Sequence, residues 1–338
     1  MTSALTLLSA ISRVDPAHAA LMAPGGPTVT YGSLHEQVER LAGYLQRAGI
    51  SRGDRIAMVL PNGIEAVVGF LAAATAGTAA PLNPGYKLEE FQFYLSDTKA
   101  KALIVPAGGA EQARQAAGPE TLLIECGIDV GGSVQFVTPG QVRSLGELDP
   151  SSSEDVALVL HTSGTTSRPK RVPLKHANLV ASACNIARSY ALTSADVSMC
   201  VMPLFHVHGL VGSILSSLLV GAAVVVPPGF NALSFWPMVQ AHRATWYSAV
   251  PAIQQMLLAR MREGIRPAGA DGLRFIRSCS SALAPATMAE IERRFGVPVL
   301  EAYGMTEASH QIATNPLPPA ERKPGTVGLG SNVEIGVM

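Results

Sequence analysis

The 338-residue sequence is short of aromatic residues and has no excess of charge of either sign. Only 5% of its residues are aromatic, and 25 lysines and arginines balance 25 aspartates and glutamates. Because no net field attracts nucleic acid or an anionic membrane surface, these partners are disfavoured and a small-molecule function is favoured. The hydrophobic fraction of 48% is large enough to form a core, which argues against global disorder.

Cysteine is scarce, and its spacing carries no metal or disulfide signature. The four cysteines are Cys126, Cys184, Cys200 and Cys279. They form no CxxC pair and do not show zinc-ligand spacing with histidines. We therefore expect reduced, buried thiols in a cytoplasmic protein.

No lysine or arginine precedes the apolar run at residues 5–11, so an amphipathic first helix is favoured over a signal peptide. A second apolar stretch, residues 210–227, is long enough to suggest a membrane span. Its serines and glycines, and the three valines before Pro227, favour a buried helix, a turn at Gly221 and a short strand. We expect no membrane span.

Helical periods alternate with short apolar runs along the whole chain, which is typical of parallel strands joined by helices. The first series predicts helices at 33–48 and 64–76 and strands at 55–60 and 101–105. A boundary rich in serine and aspartate follows at 149–155. The second series predicts strands at 156–161, 197–203, 245–251, 273–281 and 297–304, helices near 176–190 and 285–295, and a final strand in VEIGVM.

The segment TSGTTSRPK, residues 162–170, directly follows a strand that is predicted to be buried. Ligands of parallel α/β sheets bind at this end of a strand. Its glycine allows a tight turn, its hydroxyls and backbone amides can donate hydrogen bonds, and Lys170 adds positive charge, all of which suit a polyphosphate. The alternative is a solvated Ser/Thr/Gly turn. The P-loop pattern GxxxxGK[ST] is absent.

Three further motifs accompany this loop in order: PLFHVHG (203–209), SCSSALAP (278–285) and YGMTE (303–307). Together they resemble the adenylate-forming family of acyl-CoA synthetases, luciferases and peptide-synthetase adenylation domains, over the whole chain. The flanking segments VPLKHANL, EAYGMTEASHQ and KPGTVG resemble the oxalate–CoA ligases most within that family.

The resemblance implies an α/β fold, namely a large N-terminal domain in which two mainly parallel sheets are sandwiched by helices and a small β-barrel begins. The expected sub-structures are 50–188, then 1–49 with 189–322, and 323–338 as the start of the barrel. The ribose-binding aspartate, the hinge and the C-terminal domain with its catalytic lysine are absent from the sequence. We expect an incomplete enzyme that binds ATP weakly and forms no thioester alone.

The resemblance also implies roles for individual residues. The residues expected to hold the β- and γ-phosphates of ATP are Thr162, Ser163, Gly164, Thr165, Thr166 and Lys170. Those expected to flank adenine are Ser281, Ala282, Leu283, Glu301, Ala302 and Tyr303. Thr306 is expected at the α-phosphate and Glu307 at Mg²⁺, and with Lys170 they form the expected catalytic set. Solvent exposure for Glu307 and core packing for Tyr303 are the alternatives.

The reaction implied is attack of a carboxylate on the α-phosphorus of ATP, followed by attack of the coenzyme A thiol on the acyl-adenylate. No GxSxG elbow is present that would suggest a protein nucleophile instead. Oxalate needs donors or a cation at its second carboxylate, and the residues expected there are His206, His208, Ser280 and His310. Another short diacid, a carrier-protein ligase and a non-catalytic ligand-binding module remain as alternatives.

Overall fold

The computed structural model describes residues 5–138, 149, 151–162, 169–261 and 264–336. Four residues of the expected phosphate-binding set, Ser163, Gly164, Thr165 and Thr166, lie outside the described residues. In the described part, the strands are β1 (Ala19–Met22), β2 (Thr28–Thr30), β3 (Arg55–Met58), β4 (Thr78–Pro81), β5 (Ala100–Pro106), β6 (Leu122–Ile128), β7 (Val134–Val137), β8 (Val156–Thr162), β9 (Lys170–Lys175), β10 (Val197–Met199), β11 (Ala223–Val225), β12 (Trp246–Ala249), β13 (Phe275–Ser278), β14 (Val299–Met305), β15 (His310–Thr314) and β16 (Leu329–Gly330).

Helices connect most of these strands. The α-helices are α1 (Leu7–Ile11), α2 (Tyr31–Arg47), α3 (Ile64–Ala76), α4 (Leu88–Thr98), α5 (Glu111–Ala116), α6 (His176–Ser189), α7 (Val207–Gly209), α8 (Ser216–Leu218), α9 (Phe235–Ala241), α10 (Pro251–Ala259) and α11 (Pro285–Phe295). A π-helix spans Leu210–Leu215, and 3₁₀ turns span Ala270–Gly272 and Thr306–Ala308. Among the described residues, no helix is both long and apolar enough to cross a bilayer.

Two compact units divide the chain. The first comprises Met1–Ala19, Gly25–Val180 and Leu204–His206, and the second comprises Ala20–Pro24, Ala181–Pro203 and Val207–Met338. Each is built on one sheet in which parallel pairs dominate, so the expected α/β architecture with two mainly parallel sheets is confirmed.

The first unit contains a seven-stranded sheet in the order β7-β6-β5-β3-β4-β8-β9. Its inner pairs are parallel, and the edge strands β7 and β9 are antiparallel to their neighbours. Strands β3, β4, β5 and β8 are buried on both faces along most of their length, which explains why they appear in the sequence as continuous apolar runs rather than alternating ones. Helix α3 is also buried on nearly all sides.

The division places most of the first 49 residues in the first unit, whereas the resemblance grouped them with 189–322. Helix α2 explains the difference, because it packs against α3 of this unit. It also donates hydrogen bonds from Gln37 and Arg40 to the backbone carbonyls of Gly132 and Val134, over 3.2 and 2.6 Å. These contacts tie the N-terminal segment to the β7 edge.

The second unit contains the strands β16-β15-β14-β13-β12-β10-β11-β1, in that order across its sheet. From β1 to β14 all pairs are parallel, and β15 and β16 add antiparallel pairs at one edge. The expected start of a barrel contributes only the two-residue strand β16, and no closed barrel forms in the described residues. The strand predicted in VEIGVM is wrong for its described part, residues 333–336, which lack strand pairing.

Residues 210–227 form a buried helical segment, a turn and strand β11, as the sequence predicts. Gly221 has a φ of 83°, which only glycine adopts readily. The start of the helical segment is a π-helix, a form that occurs often at functional sites.

His176 should make the stability of the first unit depend on pH. Its Nδ1 accepts a hydrogen bond from the Leu7 amide and its Nε2 donates to the Ala74 carbonyl, at 3.2 and 3.0 Å. Burial lowers the pKa of His176 from 6.5 to about 4, so the unfolded chain takes up a proton at a higher pH than the folded chain does. The stability from neutral His176 is complete above pH 6.5 and is lost as pH falls toward 4.

We expect the free energy of unfolding to fall by about 2 kcal/mol between pH 7 and pH 5 through this residue. Urea titrations at both pH values measure the change, and His176→Gln is the matched control that should remove this part of the pH dependence. An unaltered slope in the variant would contradict the assignment.

Candidate functional site

A buried arginine is the centre of a polar cluster in the second unit. Arg277 lies on β13 and is 0% exposed, and its hydrogen-bond partners in the described part of the chain are uncharged side chains. Its Nε lies 3.0 Å from the Tyr190 hydroxyl and its terminal nitrogens contact Ser248 Oγ (2.9 Å), His310 Nε2 (3.1 Å) and Gln311 Oε1 (3.1 Å). A guanidinium remains protonated, so the site carries a permanent positive charge.

Strand alternation explains how β13 brings a charge inside. Ile276 joins the hydrophobic cluster that also contains Tyr247 and Ala249 of β12, while its neighbours on β13 point to the opposite face of the sheet. On that face Arg277 meets Ser248, because β12 and β13 are parallel and these two residues are directly paired.

Arg277 differs from the nearby Arg274 in having no counterion among the described residues. Arg274 forms an ion pair with Asp196 at 2.7 Å. Within the described part of the chain, no carboxylate forms an ion pair with Arg277. Since an unpaired buried charge is costly, the cluster is suited to receiving an anion.

Two histidines complete the cluster. His208 Nδ1 and Nε2 lie 2.9 Å from Ser280 Oγ and 2.7 Å from Ser248 Oγ. The rings of His208 and His310 are 5.3 Å apart. Burial, together with Arg277 and His208, holds the pKa of His310 well below its usual value, so this ring is neutral at pH 7.

The backbone around the cluster is unusual. Ser280 and His310 have φ angles of 74° and 120°, a region that non-glycine residues seldom adopt and that occurs preferentially at binding and active sites. At Gly304 the β14–β15 pairing shifts register, and a Cβ there would lie 1.9 Å from the His310 carbonyl oxygen. A Cβ on Gly212 of the π-helix would lie 2.7 Å from His310 Nε2. Both glycines are therefore required for the close approach of His310.

A pocket of about 300 Å³ lies beside the cluster, and Ser280 belongs to both. The pocket is lined by Ser280, Ser281, Ala282, Glu301, Ala302, Tyr303, Gly304, Gly325, Thr326 and Val327. Five of the six residues expected to flank adenine are thus brought together. Tyr303 is 49% exposed, which leaves a flat ring available for stacking rather than core packing.

The sixth residue, Leu283, does not line this pocket, because its side chain packs into the hydrophobic cluster of the unit. Glu301 lines the pocket but its carboxylate is already engaged, since Oε2 accepts a hydrogen bond from the Gly325 amide at 2.9 Å. The Glu301 side chain therefore holds the 325–327 loop in place. That loop was not among the expected site residues.

The expected catalytic residues occupy strand ends and turns. Thr306 and Glu307 form the 3₁₀ turn after β14, and Glu307 is exposed. No ion pair involves Glu307 in the described residues, so its carboxylate is suited to a cation that takes its other ligands from phosphate and water. In the first unit Thr162 ends β8 and Lys170 begins β9, and the two are paired in register.

The structure brings together three of the four residues expected to face the acid: His208, Ser280 and His310. His206 is exposed and its ring packs beside Phe205, so His208 is the histidine of FHVHG that joins the cluster. Sequence reasoning missed Arg277 and Ser248. The available signal was the second of the two arginines in LRFIRSCSS, which directly follows Phe275 and Ile276 in a predicted strand.

The cysteines match the expectation of reduced thiols. All four cysteines are free; Cys126, Cys200 and Cys279 are buried and Cys184 is partly buried. Burial raises the pKa of the Cys126 and Cys200 thiols to about 12, which makes both unreactive at neutral pH.

Two curated relatives share this sequence pattern. The chain is 44% identical to an oxalate–CoA ligase from Arabidopsis thaliana, covering 98% of the chain and 66% of that protein. It is 43% identical to an oxalate–CoA ligase from Saccharomyces cerevisiae, covering 86% of the chain and 57% of that protein. The chain thus spans less than two thirds of the length of these relatives.

A solved structure shares the fold. ATP-bound MatB from Rhodopseudomonas palustris superposes with a TM-score of 0.81 at 27% identity, over 98% of this chain and 65% of that one. The family model described as AMP-binding enzyme matches residues 9–338. The chain belongs to the AMP-binding enzyme family.

Proposed function

We propose that this chain is the nucleotide- and acid-binding part of an AMP-forming acid–thiol ligase, with oxalate as its acid. In this reaction a carboxylate oxygen of oxalate attacks the α-phosphorus of ATP, pyrophosphate leaves, and the thiol sulfur of coenzyme A then displaces AMP from the acyl carbon. The family membership supports the reaction class. The buried Arg277 supports the choice of acid.

The burial of Arg277 is the observation on which the proposed substrate rests. A fatty acid would leave this guanidinium buried without a counterion, which is strongly unfavourable. A second carboxylate supplies a negative charge near this guanidinium, which favours a dicarboxylate over a fatty acid. Ser280 belongs to both the cluster and the 300 Å³ pocket, which supports an acid bound next to the nucleotide.

The nucleotide roles follow from the same arrangement. Tyr303 and the small side chains Ala282 and Ala302 are proposed to hold the adenine ring in the pocket. Thr306 is proposed to contact the α-phosphate and Glu307 to ligate Mg²⁺, since both follow directly from the end of β14. Thr162 and Lys170, with the four loop residues between them, remain proposed ligands of the β- and γ-phosphates.

Pyrophosphate release across four acids tests the proposal. The chain, joined to the C-terminal domain of the Arabidopsis relative, is offered oxalate, malonate, acetate and a medium-chain acid with MgATP. We expect oxalate to have the highest kcat/KM and acetate to fall by about 100-fold or more, because a site built for hydrogen bonds discriminates strongly against an analogue that leaves it unpaired.

Acetate or the medium-chain acid at the level of oxalate would refute the dicarboxylate assignment. Preference for malonate would keep the reaction and change the diacid. Nucleotide binding without pyrophosphate release for any acid would favour the other function class, a non-catalytic ligand-binding module on the same fold.

A further inference from the structure

A continuous line of hydrogen bonds leads from Arg277 to the pocket. Arg277 lies 2.9 Å from Ser248 Oγ, Ser248 Oγ lies 2.7 Å from His208 Nε2, and His208 Nδ1 lies 2.9 Å from Ser280 Oγ. Ser280 lines the 300 Å³ pocket. We call this line, Arg277–Ser248–His208–Ser280, the serine–histidine relay.

The arginine gives the relay a direction. A guanidinium can only donate, so Ser248 Oγ accepts from it. Ser248 is fully buried, and its single hydroxyl proton needs an acceptor. His208 Nε2, at 2.7 Å, is in position to accept that proton. The Nε2 atom then carries no hydrogen, and in the neutral ring the proton resides on Nδ1.

The far end of the relay follows from this tautomer. With its proton on Nδ1, His208 donates to Ser280 Oγ, so Ser280 keeps its own proton for an acceptor in the pocket. Arg277 orders His310 by the same logic: His310 Nε2 accepts from the guanidinium at 3.1 Å, which leaves the proton of this neutral ring on Nδ1. One arginine thereby sets the proton positions of both rings.

We propose that Ser248 is a positioning residue: it accepts a hydrogen bond from Arg277 and donates one to His208, which fixes the His208 proton on Nδ1. Ser280 therefore donates its hydroxyl proton to a carboxylate oxygen of the bound acid. This inference rests on the proposed function for the identity of the acid. The arrangement of protons does not depend on the acid and can be measured without it.

The first test is the tautomeric state of the wild-type chain. Long-range ¹H–¹⁵N correlation spectra of the ¹⁵N-histidine-labelled protein distinguish protonated from unprotonated ring nitrogens. His208→Gln and His310→Gln identify the two sets of signals by their loss. We expect both rings to be protonated on Nδ1 at pH 7 without ligand. Protonation of His208 on Nε2, or a doubly protonated ring, overturns the relay whether or not oxalate binds.

The second test removes the middle of the relay. Ser248→Ala should abolish the uniform Nδ1-protonated state of His208 and weaken oxalate binding by about 10- to 100-fold, the value of one hydrogen bond to a charged group, while nucleotide affinity stays unchanged. Ser248→Thr, which keeps the hydroxyl, should restore both. Calorimetric titration of the chain with oxalate, in the presence of a non-hydrolysable ATP analogue, measures the affinity.

Ser198→Ala is the matched control. Ser198 is a fully buried serine on β10 of the same sheet, and its hydroxyl has no hydrogen-bond partner among the described residues. Its loss should leave the His208 signals and oxalate affinity as in the wild type. An unchanged tautomer or an unchanged oxalate affinity in Ser248→Ala overturns the positioning role. Failure of the wild type to bind oxalate, with the tautomers as expected, counts against the proposed acid and leaves the proton order standing.

Discussion

Replacing Arg277 by methionine is expected to weaken oxalate binding by about 30- to 3000-fold, the effect of truncating one partner of a buried, hydrogen-bonded charge pair. The reason is that the described partners of Arg277, namely Ser248, His310 and Gln311, carry no permanent positive charge that could replace it. Nucleotide binding should change little, because the 300 Å³ pocket does not include Arg277. Calorimetry with oxalate and with an ATP analogue measures the two affinities separately.

Two further variants make the Arg277 result decisive. Arg188→Met removes an exposed arginine from α6 and should leave both affinities as they are. Arg277→Lys retains the charge but loses the planar fork, so it should bind oxalate with intermediate affinity. Circular dichroism and retained nucleotide binding show that a variant is folded. A folded Arg277→Met protein with wild-type oxalate affinity would remove the basis for the dicarboxylate assignment.

Replacing His310 by leucine should lower oxalate-dependent pyrophosphate release by about 10- to 100-fold, the effect of losing one hydrogen bond to a charged group. Nucleotide binding should be unchanged. His310 Nε2 is the acceptor for Arg277, and leucine would leave that donor unpaired in a buried site. Leucine also cannot supply the Nδ1 proton. Oxalate-dependent pyrophosphate release by the chain joined to a C-terminal domain measures the effect.

His206→Leu is the informative control for this variant. The sequence alone gave His206 and His208 equal standing, but only His208 contacts Ser280 and Ser248 in the structure. We therefore expect near wild-type kinetics from His206→Leu. If it loses as much oxalate activity as His310→Leu, the cluster around Arg277 does not define the acid site.

Most of the fold was predictable from local patterns. Helix α3 and strand β5 are apolar runs of lengths typical of a helix and a buried strand, and the observed bounds lie within a residue or so of those expected. Such elements are determined by burial along a short stretch, which the sequence displays directly. The strand predicted in VEIGVM is wrong for residues 333–336, because an apolar run pairs only if a neighbouring strand is available, and a run alone does not show this.

The pocket proposed for the nucleotide was predictable in part. SCSSALAP and YGMTE each begin in the last residues of a parallel strand and continue past its end, so their residues meet at the carboxyl edge of one sheet. That Leu283 turns into the core, and that Glu301 is tied to the Gly325 amide, could not be foreseen, because both depend on which way a side chain points after a turn.

The acid site shows the clearest division between sequence and tertiary structure. The sequence by itself indicated the α/β class and the order of the motifs along the chain. It also contained the histidines and the serine whose motifs resemble those of oxalate–CoA ligases. Only the tertiary structure showed that Arg277 is the buried charge among these histidines and serines, where we propose that the acid binds. A charged side chain is usually solvated, and it can favour the binding of an anion only when folding buries it without an opposite charge, as holds for Arg277 among the described residues.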